Sequence, residues 1–320
     1  MAESTDSAAW PLLPKNEWAD AIETLHMWSQ IVGKIRMELS PWVNHSWSVP
    51  LYVTARGLTT SPVPYGRGSF QIDFDFVDHV LSIATSTGKQ ERLALAPMTV
   101  AEFYAKVFEA LDGLGIEVEI SLRPCEIPNP IPFPQDEIHH TYDREHAEAL
   151  HAALLNAARV MGTFRARFTG KVSPVHLFWG AFDLAVTRFS GRKAPPHPGG
   201  IPNLADEVTR EAYSHEVSSC GFWVGNREAP EPVFYAYAYP TPNGFSDASV
   251  QPAEAFWLQD LGEFVLPYEA VRQSGEPDSV LETFFQSTYE AAANLADWNR
   301  EALEWEHGYR PRGSRKPPDQ

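Results

Sequence analysis

The sequence predicts an α+β protein made of two related halves, each an antiparallel sheet with flanking helices. Segments that alternate like strands lie between segments with helical periodicity, and this order of elements repeats on either side of a Pro-rich stretch over 124–142. Proline removes backbone donors and fixes φ, so the stretch is expected to be an extended linker. The chain has 320 residues and is 43% hydrophobic, which is enough for two such units.

The first predicted half covers 16–123 and follows an N-terminal segment, 1–15, that is expected to be disordered or extended. A helix is predicted over about 16–38, because its apolar residues recur at helical spacing, and Asn16 can cap its N-terminus. Strands are predicted after this helix, including "VPLYVTARGL" and the alternating stretch "SFQIDFDFVDHVLSIAT".

The rest of the first half combines acidic side chains on one strand face with a second helix. Asp73 and Asp75 alternate with phenylalanines, so they are either the solvated side of a strand or a carboxylate pair that could bind a cation or do acid–base work. Thr99 and Glu102 form a capping box at the start of the second helix. The stretch "IEVEISL" is predicted to be the last strand of this half.

The second predicted half covers 143–306, and a basic, Pro-rich tail over 307–320 is expected to be disordered. A long helix is predicted over about 143–168 with Asp143 as its N-cap, and a terminal helix is predicted to be capped by Asp278. Between them, "SPVHLFWGAFDLAVTRF" is predicted as a strand, and "REAYSHEVSSCGFWVG" and "PVFYAYAYP" as further strands.

The two halves share an order of elements that favours an internal duplication, although aromatic-rich chains also give such matches by chance. The stretches "WSVPLYVTAR" and "WGAFDLAVTR" run from Trp47 to Arg56 and from Trp179 to Arg188. Two similar units packed about a pseudo-two-fold axis would bring equivalent side chains to their junction, where pockets often form. The same alignment pairs His45 with His176 and Asp73 with Glu216.

Several long stretches of the chain resemble one bacterial family that is catalogued only as a domain of unknown function. They include "TLHMWSQIVGKIR", "VPLYVTARGLTTSPVPYG", "SPVHLFWGAFDLAVTRFSGR" and "FFQSTYEAAANLADWNREALEWE", and the resemblance extends from about Trp10 to Glu306. This resemblance implies no activity, cofactor or catalytic residue, so the functional hypothesis depends on the residues themselves.

Charge and missing motifs exclude several classes of function. A formal net charge of -17 disfavours nucleic acid and anionic membrane surfaces as partners. No secretory signal and no apolar run of roughly 18–20 residues is present, so a cytoplasmic location with Cys125 and Cys220 reduced is expected. The histidines near 139–151 lack metal-site spacing, and the nucleotide-binding and nucleophile-elbow motifs are absent, so neither a metal nor a cofactor is expected.

The leading functional hypothesis is a small-molecule-binding protein or enzyme with a pocket at the junction of the halves. Guanidinium groups match carboxylate and phosphate, so the ligand is expected to be anionic, and a histidine could transfer protons. The predicted catalytic residues are His215, His176 and Glu216. The predicted ligand-binding residues are Arg56, Arg188, Trp47, Trp179, Asp73, His45, Tyr237 and Trp223.

The alternative hypothesis is a non-catalytic scaffold or protein-interaction protein whose buried polar residues are structural. His215 would then be a core histidine bonded to the backbone. Arg56 and Arg188 would each need a carboxylate acceptor, with Asp73 and Glu216 as first candidates. Tyrosines in "FYAYAYP" fit either the wall of a pocket or an ordinary sheet surface. An aromatic surface would then serve a partner protein or a second copy of the chain.

Overall fold

The computed structural model describes residues 10–14 and 18–305. Asn16 and the predicted tail over 307–320 lie outside these residues. The described helices are α1 Ala19–Leu39, α2 Val100–Leu114, α3 Arg144–Ala166, α4 Asp206–Ala212, α5 Tyr268–Arg272, α6 Pro277–Leu295 and α7 Arg300–Leu303. The described strands are β1 Tyr52–Thr54, β2 Gly57–Thr59, β3 Val63–Tyr65, β4 Gly68–Asp75, β5 Val80–Thr85, β6 Gln90–Ala94, β7 His176–Phe178, β8 Asp183–Lys193, β9 His215–Trp223, β10 Val233–Tyr239, β11 Phe256–Leu258 and β12 Glu263–Pro267.

Two antiparallel sheets contain the described strands, which confirms the predicted α+β class. The first sheet has the order β1-β2-β4-β5-β6, with β3 paired to β4, and the second has the order β11-β12-β10-β9-β8-β7. Their neighbouring edges meet at Leu51 and Leu177, each of which donates its backbone N–H to the other's carbonyl, at 2.9 and 2.8 Å. Along β4, the buried residues Phe70, Ile72 and Phe74 alternate with half-exposed ones, whereas β8 and β9 of the second sheet are buried on both faces over most of their length.

The helices cover the apolar sides of both sheets and form one continuous core with them. Trp28 of α1 stacks on Phe103 of α2 at 4.5 Å, and Phe164 of α3 lies 5.9 Å from Phe285 of α6. Trp10, in the segment expected to be disordered or extended, is buried against the second half, 5.9 Å from the ring of Phe234. Burial of so many aromatic rings supplies most of the stabilisation of such a core.

The predicted helix ends are confirmed at two places and wrong at a third. Thr99 and Glu102 form the capping box of α2, and Asp143 accepts the N–H of His146 at the start of α3. Asp278 does not cap α6, because it lies inside the first turn and its carboxylate binds Trp10 and Arg159 instead.

Two predicted strands also differ from the structure. The stretch "IEVEISL" is irregular, because its backbone bonds go to Tyr65 and Phe133 rather than to a sheet. The stretch "SPVHLFWGAFDLAVTRF" is not one strand but the hairpin of β7 and β8, which turns at Phe182 with a left-handed φ of 58°. In the described residues, none of the helices has the length and apolar character that a membrane span requires.

Candidate functional site

The predicted site residues of the first sheet lie on its solvent side. Arg56 is exposed in the β1–β2 turn and binds the carboxylates of Asp75 at 2.6 Å and Asp78 at 2.8 Å. Asp73 accepts both hydrogen bonds of the Gln71 amide at 2.9 Å. Arg56 and its two acids therefore neutralise one another, and Asp73 is held by an uncharged amide on the same open strand face.

Arg188 points the opposite way, into the core beneath the second sheet, whereas the pairing of His176 with Ala185 puts His176 on the same sheet face as Asp183. Both side chains are buried. Arg188 is 1% exposed, and its guanidinium carbon lies 3.4 Å from the ring centre of Phe164 and 4.3 Å from that of Tyr289. It donates to the carbonyl of Phe164, and burial lowers its pKa to about 10. Burial also lowers the pKa of His176 to about 3, and neither ring nitrogen has a hydrogen-bond partner. Neither side chain has a surface for a ligand.

Two further predicted residues have structural partners. Glu216 accepts from Ser190 and Arg192 at 2.8 Å, so the expectation that Glu216 or Asp73 accepts from Arg188 is wrong. Trp179 is buried and donates its indole N–H to the carbonyl of Val49 at 2.9 Å. Its ring lies where a Cβ on Gly33 would be, at 2.3 Å, so the glycine makes room for it.

Three predicted residues converge on an exposed lysine that the sequence did not single out. The ring of His45 lies 5.4 Å from that of Trp47 and 5.9 Å from that of His215. The amine of Lys171 lies 5.2 Å from the Trp47 ring and 5.0 Å from the Phe189 ring. We call this group the His45 cluster, and it consists of His45, Trp47, Lys171, Phe189 and His215.

The hydrogen bonds of His45 define its protonation. Its Nδ1 lies 2.9 Å from the carbonyl oxygen of Ala212 and must donate, so Nε2 of the neutral ring accepts from Lys171 Nζ at 2.6 Å. Burial lowers the pKa of His45, and Lys171 adds to that effect. The backbone N–H of His45, at a left-handed φ of 60°, donates to Glu211 at 2.7 Å.

A second group of polar side chains lies on the face of the second sheet that points away from the helices. The pairings of β8, β9 and β10 put Asp183, Gly221 and Tyr235 on this face, together with the predicted residues Tyr237 and Trp223. We call the polar group the acid–tyrosine cluster, and it consists of Glu126, Asp183, Tyr213, Tyr235, Tyr237 and Glu263.

A glycine in the central strand makes the arrangement possible. A Cβ on Gly221 would lie 2.2 Å from the phenol end of Tyr235 and 2.5 Å from the carbonyl oxygen of Leu184. Because that space is open, the Tyr235 ring crosses β9, and its hydroxyl donates to the Asp183 carboxylate on β8. Beside this pair, the hydroxyls of Tyr213 and Tyr237 lie 2.8 Å apart.

The carboxyl groups of the cluster hold their protons more tightly than ordinary acids. Burial, together with the neighbouring charge of Asp183, raises the pKa of Glu126 and of Glu263 to about 7. Burial raises the pKa of Asp183 to about 6, although the hydrogen bond from Tyr235 partly offsets the rise. At neutral pH these groups therefore exchange between acid and carboxylate.

A Pro/Gly-rich segment, 194–205, covers the tyrosine end of this face. His197 stacks on Tyr213 with ring centres 4.8 Å apart. Asn203 donates to the carbonyl of Ile127 at 2.7 Å, and the N–H of Glu126 donates to the carbonyl of Pro202 at 2.9 Å. The cover segment of the second predicted half and the turn at Glu126, in the predicted linker, thus enclose the cluster between them.

Of this cluster, only Tyr237 is among the site residues predicted from the sequence, and the predicted Trp223 lies on the same face outside it. Glu126 was missed because a single acid in a Pro-rich stretch carries no spacing signal. The alternation of "GEFVLP" places Glu263 on the face of Val265 and could have indicated a buried acid. Among the described residues, no three His, Cys, Asp or Glu side chains are grouped so that they could hold a metal ion.

Two shallow concavities lie elsewhere on the described surface. One is lined by Leu95, Tyr142 and Arg144, and the other by Arg167, Glu282 and Gln286. Neither includes a predicted site residue.

Comparison with known proteins gives one match. The model of a family described as "Family of unknown function (DUF5996)" matches residues 10–305, so the predicted resemblance to a family of unknown function is confirmed. No curated protein and no solved structure matches the chain.

Proposed function

Because the chain belongs to this family of unknown function, its relatives supply no activity, and we propose from the geometry of the chain that it binds a small organic cation. The ligand, an amine or quaternary ammonium compound, lies between the outer face of the second sheet and the cover segment 194–205. The acid–tyrosine cluster supplies the contacts.

The observation that carries this proposal is the position of two half-buried acids, Glu126 and Glu263, close enough to the buried Asp183 for their charges to interact. Among the described residues, no arginine or lysine forms an ion pair with Glu126, Asp183 or Glu263. Burying a carboxylate without a cationic partner costs free energy, and the raised pKa values of these three acids reflect that cost. A cationic ligand would remove that cost, so its binding and the ionisation of these acids favour each other.

The aromatic side chains suit the same ligand. The rings of Tyr235 and Tyr237 stack with centres 6.1 Å apart, and that of Tyr213 lies 6.1 Å from the ring of Tyr237. Faces of aromatic rings attract ammonium groups, and this attraction is strongest where water is excluded. The phenol oxygens can also accept N–H donors.

The proposed charge of the ligand is opposite to the one expected from the sequence. The sequence predicts an anionic ligand because the guanidinium groups of Arg56 and Arg188 would bind its carboxylate or phosphate group. Arg56 is already neutralised by two carboxylates on an open surface, and Arg188 is 1% exposed beneath the sheet. The arginines therefore no longer support an anionic ligand.

A thermal unfolding experiment tests the charge of the ligand. We expect choline or propylamine, at millimolar concentration and pH 8, to raise the Tm by about 2 °C or more. Dimethylbutanol, the uncharged carbon isostere of choline, should give no shift. The shift should shrink at pH 5, where the acids of the cluster are protonated.

Matched variants locate the effect within the chain. Asp183→Asn should abolish the amine-dependent shift, whereas Asp73→Asn, on the open face of the first sheet, should leave it unchanged. An equal shift with dimethylbutanol, or a shift that survives Asp183→Asn, would contradict binding of a cation at this cluster.

The alternative function, a non-catalytic scaffold, is favoured by one observation. The hydroxyl groups of Tyr213 and Tyr237 form a hydrogen bond with each other. The hydroxyl oxygens of Thr187 and Ser219, on the same face, lie 2.8 Å apart. A face closed in this way could serve only to hold the cover segment in place. In that case no amine would alter the Tm at any pH.

We infer further that the chain arose by duplication, with halves over 16–123 and 143–306 joined by 124–142. Each half contains a helix, a six-stranded antiparallel sheet and a closing helix. The edge strands β1 and β7 of the two sheets meet through the reciprocal hydrogen bonds of Leu51 and Leu177. A superposition of the halves that failed to match β4 with β9 would remove this inference.

A further inference from the structure

The His45 cluster lies at the junction of α4 and the loop before β1, apart from the acid–tyrosine cluster. Its distinguishing feature is a lysine amine held against a neutral histidine, with Lys171 Nζ 2.6 Å from His45 Nε2. We propose that Lys171 is a carbonyl-reactive amine, which condenses with an aldehyde to form an imine. This inference does not depend on the cation-binding function proposed above.

The structure fixes the histidine as a proton acceptor. His45 Nδ1 donates to the carbonyl of Ala212, which leaves the lone pair of Nε2 directed at the lysine. The ring is wedged between those of Trp47 and Phe189, with centres 5.4 and 4.6 Å away. A histidine held in one tautomer and orientation needs no rearrangement to take a proton from the amine.

The surroundings of the amine favour its neutral form while leaving it accessible. Burial lowers the pKa of Lys171, and the charge of Glu211 opposes this effect without cancelling it. The side chain is nevertheless exposed, so a small carbonyl compound can reach it. A lysine reacts as a nucleophile only when it is deprotonated.

Two buried hydroxyl groups in the same elements have no partner in the described residues. They are Ser46 Oγ, next to His45 in the loop before β1, and Thr209 Oγ1 in α4. Ser46 also has a left-handed φ of 57°, directly after that of His45. Strained backbone clusters at functional sites, and an unpaired buried hydroxyl calls for a water, an ion or a ligand as its partner.

The chemistry balances without any further reagent. The Nζ lone pair attacks the aldehyde carbon, the C=O π pair moves to oxygen, and His45 Nε2 takes one proton from the nitrogen. His45 returns that proton to the alkoxide oxygen, which gives the neutral carbinolamine. A second proton, taken from solvent water, lets the hydroxyl leave as water while the nitrogen lone pair forms the C=N bond. Loss of the second N–H proton gives the neutral imine. The net change is one amine and one aldehyde giving one imine and one water.

Reductive trapping tests the proposal on the full chain. The protein is treated with propanal and cyanoborohydride at pH 7, and labelling of each lysine is followed by peptide mass spectrometry. We expect Lys171 to be labelled several-fold faster than Lys89 and Lys193, which are also exposed and serve as internal controls. Equal rates at the three lysines would overturn the proposal.

A variant separates the role of His45 from simple exposure. His45→Gln should reduce the rate at Lys171 to that of Lys89 and leave the rate at Lys89 unchanged. If the variant does not fold, the wild-type pH profile decides, because labelling of Lys171 should rise at lower pH than labelling of Lys89. The proposal that His45 assists Lys171 would be refuted if the two lysines had the same pH profile of labelling. It would also be refuted if the folded His45→Gln variant labelled Lys171 at the wild-type rate.

Discussion

The outer faces of the two sheets have the same alternating sequence pattern, but they differ in their exposure to solvent. On the first sheet, Asp73 and Asp75 stay half-exposed and pair with neighbouring polar groups. On the second sheet, Asp183 is 9% exposed and bonded to Tyr235. The pattern of a strand therefore specifies which face a residue occupies, but not whether water reaches that face.

The difference arises in the connections between strands. Residues 60–67 join β2 to β4 in the first sheet, whereas residues 194–214 join β8 to β9 in the second and contain α4 and the cover segment. The longer connection lies over the sheet, as the contact of His197 with Tyr213 and Tyr239 shows. Function often resides in such inserted connections on a regular scaffold.

The largest expected effect comes from filling the space that lets Tyr235 cross the second sheet. Gly221→Ala should lower the free energy of unfolding by about 3 kcal/mol, because the new methyl group would overlap the phenol and the Leu184 carbonyl, which is main chain and cannot move aside. Chemical denaturation with a fluorescence readout measures the change.

The control for this substitution lies in the first sheet. Gly68→Ala in β4 would meet only the Ser86 hydroxyl, at 2.6 Å, and that side chain can rotate. Its cost should stay below about 1 kcal/mol. Similar losses for the two variants would mean that the covered face is no more tightly packed than the open one.

An intermediate effect is expected from removing one buried acid. The pKa of Glu263 is raised from 4.5 to about 7, so its contribution to stability is complete below about pH 4.5 and is lost as the pH rises through 7. Glu263→Gln should therefore raise the free energy of unfolding at pH 8 by on the order of 1–3 kcal/mol and change it little at pH 4. Denaturation curves at the two pH values measure the difference.

Asp73→Asn provides the comparison for this acid on the open face. Its effect should stay within about 0.5 kcal/mol at both pH values, since its carboxylate is half-exposed and bonded only to a neighbouring amide. A gain at pH 8 as large as that of Glu263→Gln would show that coverage of the face does not control the acids.

The sequence predicted what depends on local pattern and missed what depends on distant contacts. Strand periodicity predicts the sheet faces that Phe70 and Tyr237 occupy. Residues close in sequence predict the capping box at Thr99 and the cap at Asp143. Glu126 joins the acid–tyrosine cluster through a loop contact with Pro202, 76 residues away in the chain, and no spacing rule foresees it.

The two arginines show the same limit most clearly. "WSVPLYVTAR" and "WGAFDLAVTR" have the same ending, yet Arg56 lies in a turn and Arg188 in the middle of a long strand. The sequence signals that an arginine follows β-forming residues, whereas the hairpin register determines which face it occupies and what it meets. Lys171 was missed for the same reason, because its histidine lies 126 residues earlier.

The smallest effect is expected at Arg56, although it forms two ion pairs. The side chain is exposed, and ion pairs in water contribute little because solvent screens the charges and ordering long side chains costs entropy. Burial opposes ionisation of Asp75, but hydrogen bonds from Arg56 and from the turn backbone outweigh it, and the pKa of Asp75 is lowered. The stabilisation linked to this acid is therefore present above its ordinary pKa and is lost as the pH falls through the lowered one.

Arg56→Met should leave the Tm at pH 7 unresolved from that of the wild type, and the two proteins should converge in strong acid. Thermal melts from pH 2 to 7 measure this. A large loss of Tm at pH 7 would mean that the open face of the first sheet depends on its charges, and the contrast between the two faces would then need another cause than coverage.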